Sequence, residues 1–372
     1  MHRQGRQLIH HCGLPRECCF ILPPDVLARA SQDDSEARRE AALRTIAQSA
    51  SFRTKRTIIA KLVRSKAVGV DLSVIGVLAG TRALNRTVYG VDHGGWNDLP
   101  GRQVRAEGDS PSSDDSVNEA YDGVDSTYTF YKEVYDRDSV DGAGYPLISS
   151  VHFGVDFDNA FWDGGEMVYG DGSGQIFLAG SLTKAIDVIG HELTHGVTQY
   201  TAGLEYHAQS GALNESWSDV FGSLIKQYSL RQSAEEADWL IGEGILVPEL
   251  GKALRSMKDP GTAFEGDTQP AHMDDYQNLP DDNDPRNDNG GVHINSGIPN
   301  KAFYLAATAI GGNAWEAPGH IWYQTLTERL QPASNFRDAA NATIESAGAL
   351  FGGGGKEEQA VRKAWEEVGV LG

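Results

Sequence analysis

The stretch SLTKAIDVIGHELTHGVTQY, residues 181–200, lies where the sequence changes from strand-like to helical patterning. Its apolar residues recur at helical spacing, and Ser181 is available as the N-terminal cap. Before it, short alternating runs rich in Val, Thr and Tyr are separated by Gly and Asp clusters, which predicts strands and turns. The sequence therefore predicts an α+β protein with a β-rich half followed by an α-helical half. Five segments after residue 200 have helical spacing: ALNESWSDVFGSLIKQY, NKAFYLAATAI, HIWYQTLTERL, NFRDAANATIESAGALF and EEQAVRKAWEEVG.

Three regions follow from this pattern. Residues 1–52 contain every cysteine of the chain and a charged, helix-like stretch, so we expect a detachable extension there. Residues 53–205 are expected to form the β-rich domain, which ends in the helix quoted above, and residues 206–372 the α-helical domain. Within the β-rich region, EGDSPSSDDSVNEAYDG (residues 107–123) is acidic and rich in turn-forming residues. This favours a solvated loop, with a weak calcium loop as the alternative.

The composition disfavours several classes of protein. Of 372 residues, 40% are hydrophobic and 23% are charged, which is typical of folded domains. The net charge of -20 disfavours nucleic acid and anionic membranes as partners, because both need clustered Lys and Arg. No apolar run reaches the roughly 18 residues that a membrane span needs. The N-terminus lacks the continuous apolar stretch of a standard secretory signal, so the sequence leaves open whether the protein is secreted or cytoplasmic.

All three cysteines, Cys12, Cys18 and Cys19, lie in the extension. The rest of the chain therefore has neither a disulfide framework nor a thiol nucleophile. Two interpretations of the cysteines remain open. They belong to an unstructured tail, or one of them supplies a thiolate to a metal and keeps the protein latent.

The motif HELTH at residues 191–195 indicates a metal site. On a helix, residues four apart share a face, so His191 and His195 present two imidazoles to one point. Glu192 can reach a water bound at that point. Catalytic zinc needs three protein ligands and one open position. On the motif alone, a solvated helix face with two unrelated histidines remains the alternative.

A third ligand strengthens the metal hypothesis. Nineteen residues separate His195 from Glu215, which begins the next helical segment and can therefore approach the same metal. Asp219 lies four residues further on, on the same helix face, and can accept the second N–H of a ligand histidine. The two helices together supply three ligands, a base and an orienting carboxylate.

Two further residues are candidates for contacts with a substrate. In NDNGGVHINSG, Asp288 can orient His293 as a donor to a developing oxyanion, although a satisfied surface histidine is the commoner case. Arg255, in ALRSMKDP, can meet a substrate carbonyl or form a structural ion pair.

These motifs resemble those of the thermolysin-like zinc metalloproteases, and most those of the protealysin branch. The resemblance covers about residue 80 to residue 372. It implies a two-domain fold with the active-site cleft between the two halves, and a zinc-dependent neutral endopeptidase that cleaves on the amino side of hydrophobic residues. The motifs that carry it are NAFWDGGEMVYGDGSG, HELTHGVTQYTAGLEY, SGALNESWSDVFG, LRSMKDP and DNGGVHINSGIPNKAFY.

The resemblance implies a role for each matching residue. His191, His195 and Glu215 would bind Zn²⁺, and Glu192 would be the general base. By the same resemblance, Tyr206 and His293 would stabilise the tetrahedral intermediate, with Asp288 orienting His293 and Asp219 orienting His191. Asn159 and Ala160 would hold the substrate main chain as an added strand, and Arg255 would meet the carbonyl beyond the scissile bond. The pocket for the residue after that bond would be lined by Phe177, Val188, Ile241 and Leu254.

The resemblance also bears on the extension and on calcium. FILPPDVL resembles the Pro-Pro motif of the short propeptides in the protealysin branch, which implies a self-processing precursor inhibited by its own propeptide. Thermolysin itself has a double calcium site. Here Lys226 and Leu240 replace two of its carboxylates, so that site is expected to be lost, and calcium at other sites stays open. The matching positions are Asp187, Lys226, Asp238, Leu240 and Glu243.

Two other functions remain as alternatives. An inactive zinc-binding relative would serve as a binding module, but such a protein would be free to lose Glu192, Tyr206 or His293, and all three are present. A zinc aminopeptidase would share the HELTH motif, but the G-x-M-E-N substrate motif of those enzymes is absent. The expected partners are protein or peptide substrates and the chain's own propeptide.

Overall fold

A six-stranded mixed sheet forms the first half of the fold in the computed structural model, which describes residues 19–49, 84–282 and 284–372. The strand order is β1-β5-β6-β4-β2-β3. Strand β4 pairs in parallel with both β2 and β6, and the remaining pairings are antiparallel. The strands are β1 (Cys19–Phe20), β2 (Arg86–Gly90), β3 (Arg102–Ala106), β4 (Leu147–Val151), β5 (Ala160–Trp162) and β6 (Met167–Tyr169).

Helices make up most of the second half, which confirms the predicted α+β architecture. Each of the five segments predicted to be helical after residue 200 contains a helix. A short antiparallel pair, β7 (Leu240–Ile241) and β8 (Arg255–Ser256), lies between them in sequence. The helices are α1 (Pro24–Ala30), α2 (residues 36–49), α3 (Asp115–Tyr135), α4 (Ile186–Gln199), α5 (Ala208–Leu230), α6 (Asp288–Asn295), α7 (Gly297–Ile310), α8 (Ala317–Glu328), α9 (Phe336–Phe351) and α10 (Lys356–Glu367).

Helices α4 and α5 pack closely because glycines lie where their backbones meet. A Cβ atom on Gly222 would lie 2.4 Å from the carbonyl oxygen of Asp187, and one on Gly190 would lie 2.6 Å from Ile225 Cδ1. Real Cβ atoms do not approach other atoms so closely. These two glycines therefore allow the backbone approach that brings α5 against the HELTH face of α4.

Two local predictions were wrong. The acidic stretch at residues 107–123 is not a loop throughout, because helix α3 begins at Asp115. The side chain of Asp114 accepts hydrogen bonds from the backbone N–H groups of Ser116 and Val117, so it acts as the N-cap. The turn-forming residues mark the start of a helix whose apolar face is buried. In addition, Ser181 does not cap α4, which begins at Ile186 after a turn.

The N-terminal extension lies across the sheet edge and the helical half. Strand β1 pairs with β5, and helix α1 follows it with Val26, Leu27 and Ala30 buried. The predicted domain boundaries stay predictions. The boundary at residue 52, together with Cys12 and Cys18, lies outside the described residues, as does the side chain of Cys19. None of the described helices is long and apolar enough to cross a membrane.

Candidate active site

The three predicted zinc ligands converge between α4 and α5. The Nε2 atoms of His191 and His195 lie 3.0 Å apart. Each lies close to one carboxylate oxygen of Glu215, at 3.5 Å for His191 and 3.4 Å for His195. The three side chains are buried. In the part of the chain that the structure describes, they are the one group of three or more His, Cys, Asp or Glu residues with ligand atoms close enough to share a metal ion.

This group of atoms fits zinc. Ligand atoms about 2.1 Å from a tetrahedral zinc lie about 3.4 Å from one another, and the separations here are 3.0–3.5 Å. Within the described part of the chain, Glu215 Oε2 is buried without a hydrogen-bond partner. A buried carboxylate oxygen in that condition is costly unless a cation or donor meets it. The donor set, two imidazoles and a carboxylate, is one that catalytic zinc uses.

Each ligand histidine is oriented by a second residue. His191 Nδ1 donates to Asp219 Oδ1 at 2.8 Å. His195 Nδ1 lies 2.9 Å from Asn214 Oδ1, a contact that the sequence analysis missed. Its only sequence signal is that Asn214 directly precedes Glu215. With Nδ1 held, both rings turn Nε2 toward the shared point.

Glu192 lies beside this cluster, and its two carboxylate oxygens have different surroundings. Its Oε2 accepts a hydrogen bond from the backbone N–H of Trp162 at 2.8 Å. Its Oε1 is buried and has no hydrogen-bond partner among the residues that the structure describes. Burial raises the pKa of Glu192 to about 8. A carboxylate in this environment is a stronger base than one on the surface.

His293 and Tyr206 also lie close to the cluster, through Glu215. The Oδ1 atom of Asp288 lies 2.6 Å from His293 Nδ1. Burial acts to lower the pKa of His293, but the charges of Asp288 and Glu215 outweigh it and raise that pKa to about 9. The Tyr206 hydroxyl donates to Glu215 Oε1 and lies 3.3 Å from His293 Nε2. Residues Asn289 to Gly291 have left-handed backbone angles, and this kink in α6 separates Asp288 from His293.

The backbone of the extension occupies the cleft between the two halves. Leu22 N–H donates to Asn159 Oδ1 at 3.2 Å, and Ile21 N–H donates to the carbonyl oxygen of Ala160 at 3.2 Å. Arg255 Nη1 donates to the carbonyl oxygen of Ile21 at 3.0 Å. The residues that were predicted to hold a substrate main chain therefore hold the chain's own N-terminal segment.

The four predicted pocket residues are fully buried. Together with Ile21, they belong to one continuous apolar cluster. The pocket residues are Phe177, Val188, Ile241 and Leu254, and each has 0% of its surface exposed.

Comparison with known proteins decides the family. Residues 82–199 match the catalytic domain of thermolysin metallopeptidases, and residues 202–370 match their alpha-helical domain. The chain belongs to the thermolysin family of metallopeptidases. Members of this family are zinc-dependent, and the His191, His195 and Glu215 cluster is present here.

Named relatives support the same conclusion. An extracellular metalloprotease of Pectobacterium carotovorum subsp. carotovorum is 42% identical over 362 residues, which are 95% of this chain and 97% of that protein. Thermolysin of Alicyclobacillus acidocaldarius subsp. acidocaldarius is 42% identical over 283 residues, which are 73% of this chain and 49% of that protein. This thermolysin-family chain is therefore a metalloendopeptidase.

A solved structure supports the precursor form. The precursor of protealysin, a metalloproteinase from Serratia proteamaculans, is 44% identical and has a TM-score of 0.80. The match covers 95% of this chain and 100% of that one. This similarity supports the protealysin branch of the thermolysin family, which the sequence motifs also indicated.

Lys226 occupies the position that corresponds to the double calcium site of thermolysin, which was expected to be lost here. Lys226 Nζ lies 2.7 Å from Asp238 Oδ2, 3.7 Å from Glu243 Oε2 and 3.8 Å from Asp187 Oδ2. Leu240, the other changed position, lies in β7 and contributes its backbone N–H to Asp238 Oδ1. An ammonium group thus lies among three carboxylates.

Proposed function

We propose that the chain is the latent precursor of a zinc endopeptidase in which His191, His195 and Glu215 hold the metal and Glu192 is the general base. The observation that carries this proposal is the convergence of three ligand atoms beside Glu192, whose buried Oε1 forms no hydrogen bond with any described residue. When bound, Zn²⁺ supplies Lewis-acid activation of the substrate carbonyl and of water.

Glu192 moves the proton. The hydrogen bond from Trp162 N–H fixes Oε2, so Oε1 is the atom that takes a proton from the attacking water. The same atom then delivers the proton to the leaving amine. Burial raises the pKa of Glu192, which favours proton uptake. A cation held by the neighbouring ligands would lower that pKa.

His293 and Tyr206 stabilise negative charge on the carbonyl oxygen. Asp288 holds His293 Nδ1, and the raised pKa keeps Nε2 protonated as a donor. The Tyr206 hydroxyl, next to His293 Nε2, is the second donor. A donor of this kind is typically worth about 3 kcal/mol at the transition state.

The pocket selects the residue after the cleaved bond. Its walls are apolar and fully buried, so they gain about 25 cal/mol for each Å² of apolar side chain that they cover, and they give no partner to a charge. We therefore expect cleavage on the amino side of Leu, Phe, Ile or Val. The walls are Phe177, Val188, Ile241 and Leu254.

The extension acts as the inhibitor. Its backbone occupies Asn159, Ala160, Arg255 and His293, so an external substrate cannot reach those groups while it is bound. Activity therefore requires that residues 1–52 be removed, and we propose that the enzyme does this itself. We further propose that Lys226 replaces the double calcium site of thermolysin.

One substitution tests the central assignment. Glu192→Gln removes the base but keeps the size of the side chain, so the variant should bind zinc, fold normally and lack peptidase activity. It should also persist as the full-length precursor when it is made in a host without other proteases. Normal turnover by the Glu192→Gln enzyme would contradict the role of Glu192, and normal maturation in that host would contradict self-processing.

A further inference from the structure

The inhibitory segment lies in the cleft in the direction of a substrate. We infer that the Phe20–Ile21 peptide bond is itself a cleavage site, which the precursor hydrolyses in its own cleft. This inference rests on the function proposed above. It assigns a specific bond as a substrate of the enzyme, within the segment that blocks it.

The carbonyl group of this bond lies at the catalytic residues. His293 Nε2 donates to the carbonyl oxygen of Phe20 at 2.7 Å. The same Nε2 lies 3.5 Å from Glu215 Oε2 and 3.3 Å from the Tyr206 hydroxyl. The carbonyl oxygen of Phe20 is therefore held by the donor that we assign to the developing oxyanion, next to a proposed zinc ligand.

The proposed general base, Glu192, is held by the strand that pairs with this segment. Strand β1 pairs with β5 so that Phe20 lies opposite Phe161 and Cys19 opposite Trp162. The backbone N–H of Trp162 is the group that holds Glu192. Glu192 is thus attached to the strand position opposite the residue that precedes Phe20.

The contacts after this carbonyl give the direction of the chain. The next residue, Ile21, donates its N–H to Ala160 and accepts from Arg255 with its carbonyl oxygen. Leu22 then donates to Asn159. Arg255 was assigned to the carbonyl beyond the scissile bond, and Ile21 supplies the carbonyl that it meets, so Ile21 stands where the residue after that bond stands.

The side chains agree with the pocket. Ile21 has 0% of its surface exposed and shares a continuous buried cluster with the pocket residues. Isoleucine is among the residues that this apolar pocket should accept. On the other side of the bond, Phe20 is 3% exposed, and its ring packs against Phe161 with the ring centroids 5.3 Å apart.

The segment after the bond is anchored independently of it. Pro24 begins α1, and its fixed φ angle suits the first turn of a helix. Asp25 accepts hydrogen bonds from Thr268, and Arg29 forms an ion pair with Glu265 at 2.8 Å. A cut before Ile21 therefore leaves the rest of the inhibitory segment attached to the catalytic domain.

The reaction is a simple hydrolysis. One water adds across the amide, the C–N bond between Phe20 and Ile21 breaks, and the products are a carboxylate at Phe20 and an amine at Ile21. No oxidant, reductant or other reactant is consumed. The nicked precursor still fills the part of the cleft beyond the bond, so the cut by itself does not release full activity.

The test uses the zinc-loaded, full-length precursor. After incubation at several protein concentrations, mass spectrometry should find fragments that end at Phe20 and begin at Ile21. Because the bond lies in the cleft of its own molecule, the rate constant should be independent of concentration. The Glu192→Gln precursor should show no such fragments. Fragments from that variant, or a first-order rate constant that rises with concentration, would overturn self-cleavage within the molecule.

Two variants at position 21 form a matched pair that tests the role of the Ile21 side chain. Ile21→Leu should keep the cut, and Ile21→Asp should lose it because the pocket offers nothing to a carboxylate. Since Ile21→Asp can also loosen the folded precursor, a peptide of residues 19–27 under reducing conditions is given to matured enzyme. It should be cut between Phe20 and Ile21, and its aspartate version should not.

The result also separates this inference from the proposed function. If matured enzyme hydrolyses an external peptide while the precursor keeps the Phe20–Ile21 bond intact, the inference is overturned and the proposed function stands. If the zinc-loaded matured enzyme hydrolyses no external peptide and the zinc-loaded precursor keeps the Phe20–Ile21 bond intact, both are overturned.

Discussion

Arg255 and Asp219 form a fully buried, bidentate ion pair next to the proposed zinc site. Both hydrogen bonds, Nε to Oδ2 and Nη2 to Oδ1, are 2.8 Å long. Asp219 also accepts from His191 Nδ1 and from Asn300 Nδ2, each at 2.8 Å. Since Arg255 Nη1 donates to the carbonyl oxygen of Ile21, one network connects a zinc ligand with the main chain in the cleft.

Arg255→Ala should be strongly destabilising. It leaves the carboxylate of Asp219 buried without its main positive partner, and breaking a buried pair in this way typically costs about 3–5 kcal/mol. The loss should appear in thermal or denaturant unfolding of the precursor. Adding Asp219→Asn should recover part of it, because the double variant no longer buries an unpaired charge. A double variant less stable than Arg255→Ala alone would contradict this account.

His293→Ala should lower kcat far more than it changes KM in the matured enzyme. The imidazole donates to the carbonyl oxygen mainly in the transition state, so we expect kcat to fall by about a hundred- to a thousand-fold. Zinc content, measured by metal analysis, should not change. His320→Ala, on helix α8 far along the chain from the HELTH motif, serves as the control and should keep wild-type kcat. A normal kcat for His293→Ala would show that this residue is a bystander.

Lys226→Glu should make stability depend on calcium. Burial lowers the pKa of Lys226, but Asp187 and Asp238 outweigh that effect, so the ammonium is charged. Its loss should destabilise the calcium-free protein by about 1–3 kcal/mol, between the values for exposed and buried pairs. Added calcium should restore part of the melting temperature, because four carboxylates then surround the site.

The neutral variant Lys226→Gln is the matched control for that experiment. It also removes the positive charge, but it adds no carboxylate, so calcium should restore less of its stability than that of Lys226→Glu. An equal response of the two variants would mean that calcium acts elsewhere.

His152 should make stability fall at alkaline pH. Its Nδ1 and Nε2 lie 2.8 Å from carboxylate oxygens of Asp171 and Asp114, so both ring nitrogens donate only when the ring is protonated. The hydrogen bond to Asp171 outweighs burial, and with Asp114 it raises the pKa to about 9. The unfolded value is about 6.5, so this contribution is complete below pH 6.5 and is lost as the pH rises through 9.

A matched variant isolates this effect. His152 has a φ of 59°, a left-handed angle that Asn tolerates, so His152→Asn removes the titrating ring with little backbone strain. Melting temperatures should converge between wild type and variant as the pH rises from 6.5 to 10. Parallel curves over that range would contradict the assignment.

The sequence by itself determined the features that depend on local spacing. Two histidines four residues apart lie on one face of any helix, so His191 and His195 were identifiable before α4 was seen. The helices after residue 200 were predictable for the same reason, because each buries a periodic apolar face. Glu215 and Asp219 depended on one further step, the expectation that two consecutive helices pack together.

Tertiary structure alone decided the features that join distant parts of the chain. Asn214 orients His195, Asp114 begins α3 and also meets His152, and Arg255 bonds both Asp219 and Ile21. Periodicity does not encode such contacts, because they depend on how elements pack and on which polar groups burial leaves in need of a partner. The register of β1 on β5, which sets the Phe20 carbonyl at His293, is decided in the same way, since a shift by one residue would present a different bond and reverse the side chains.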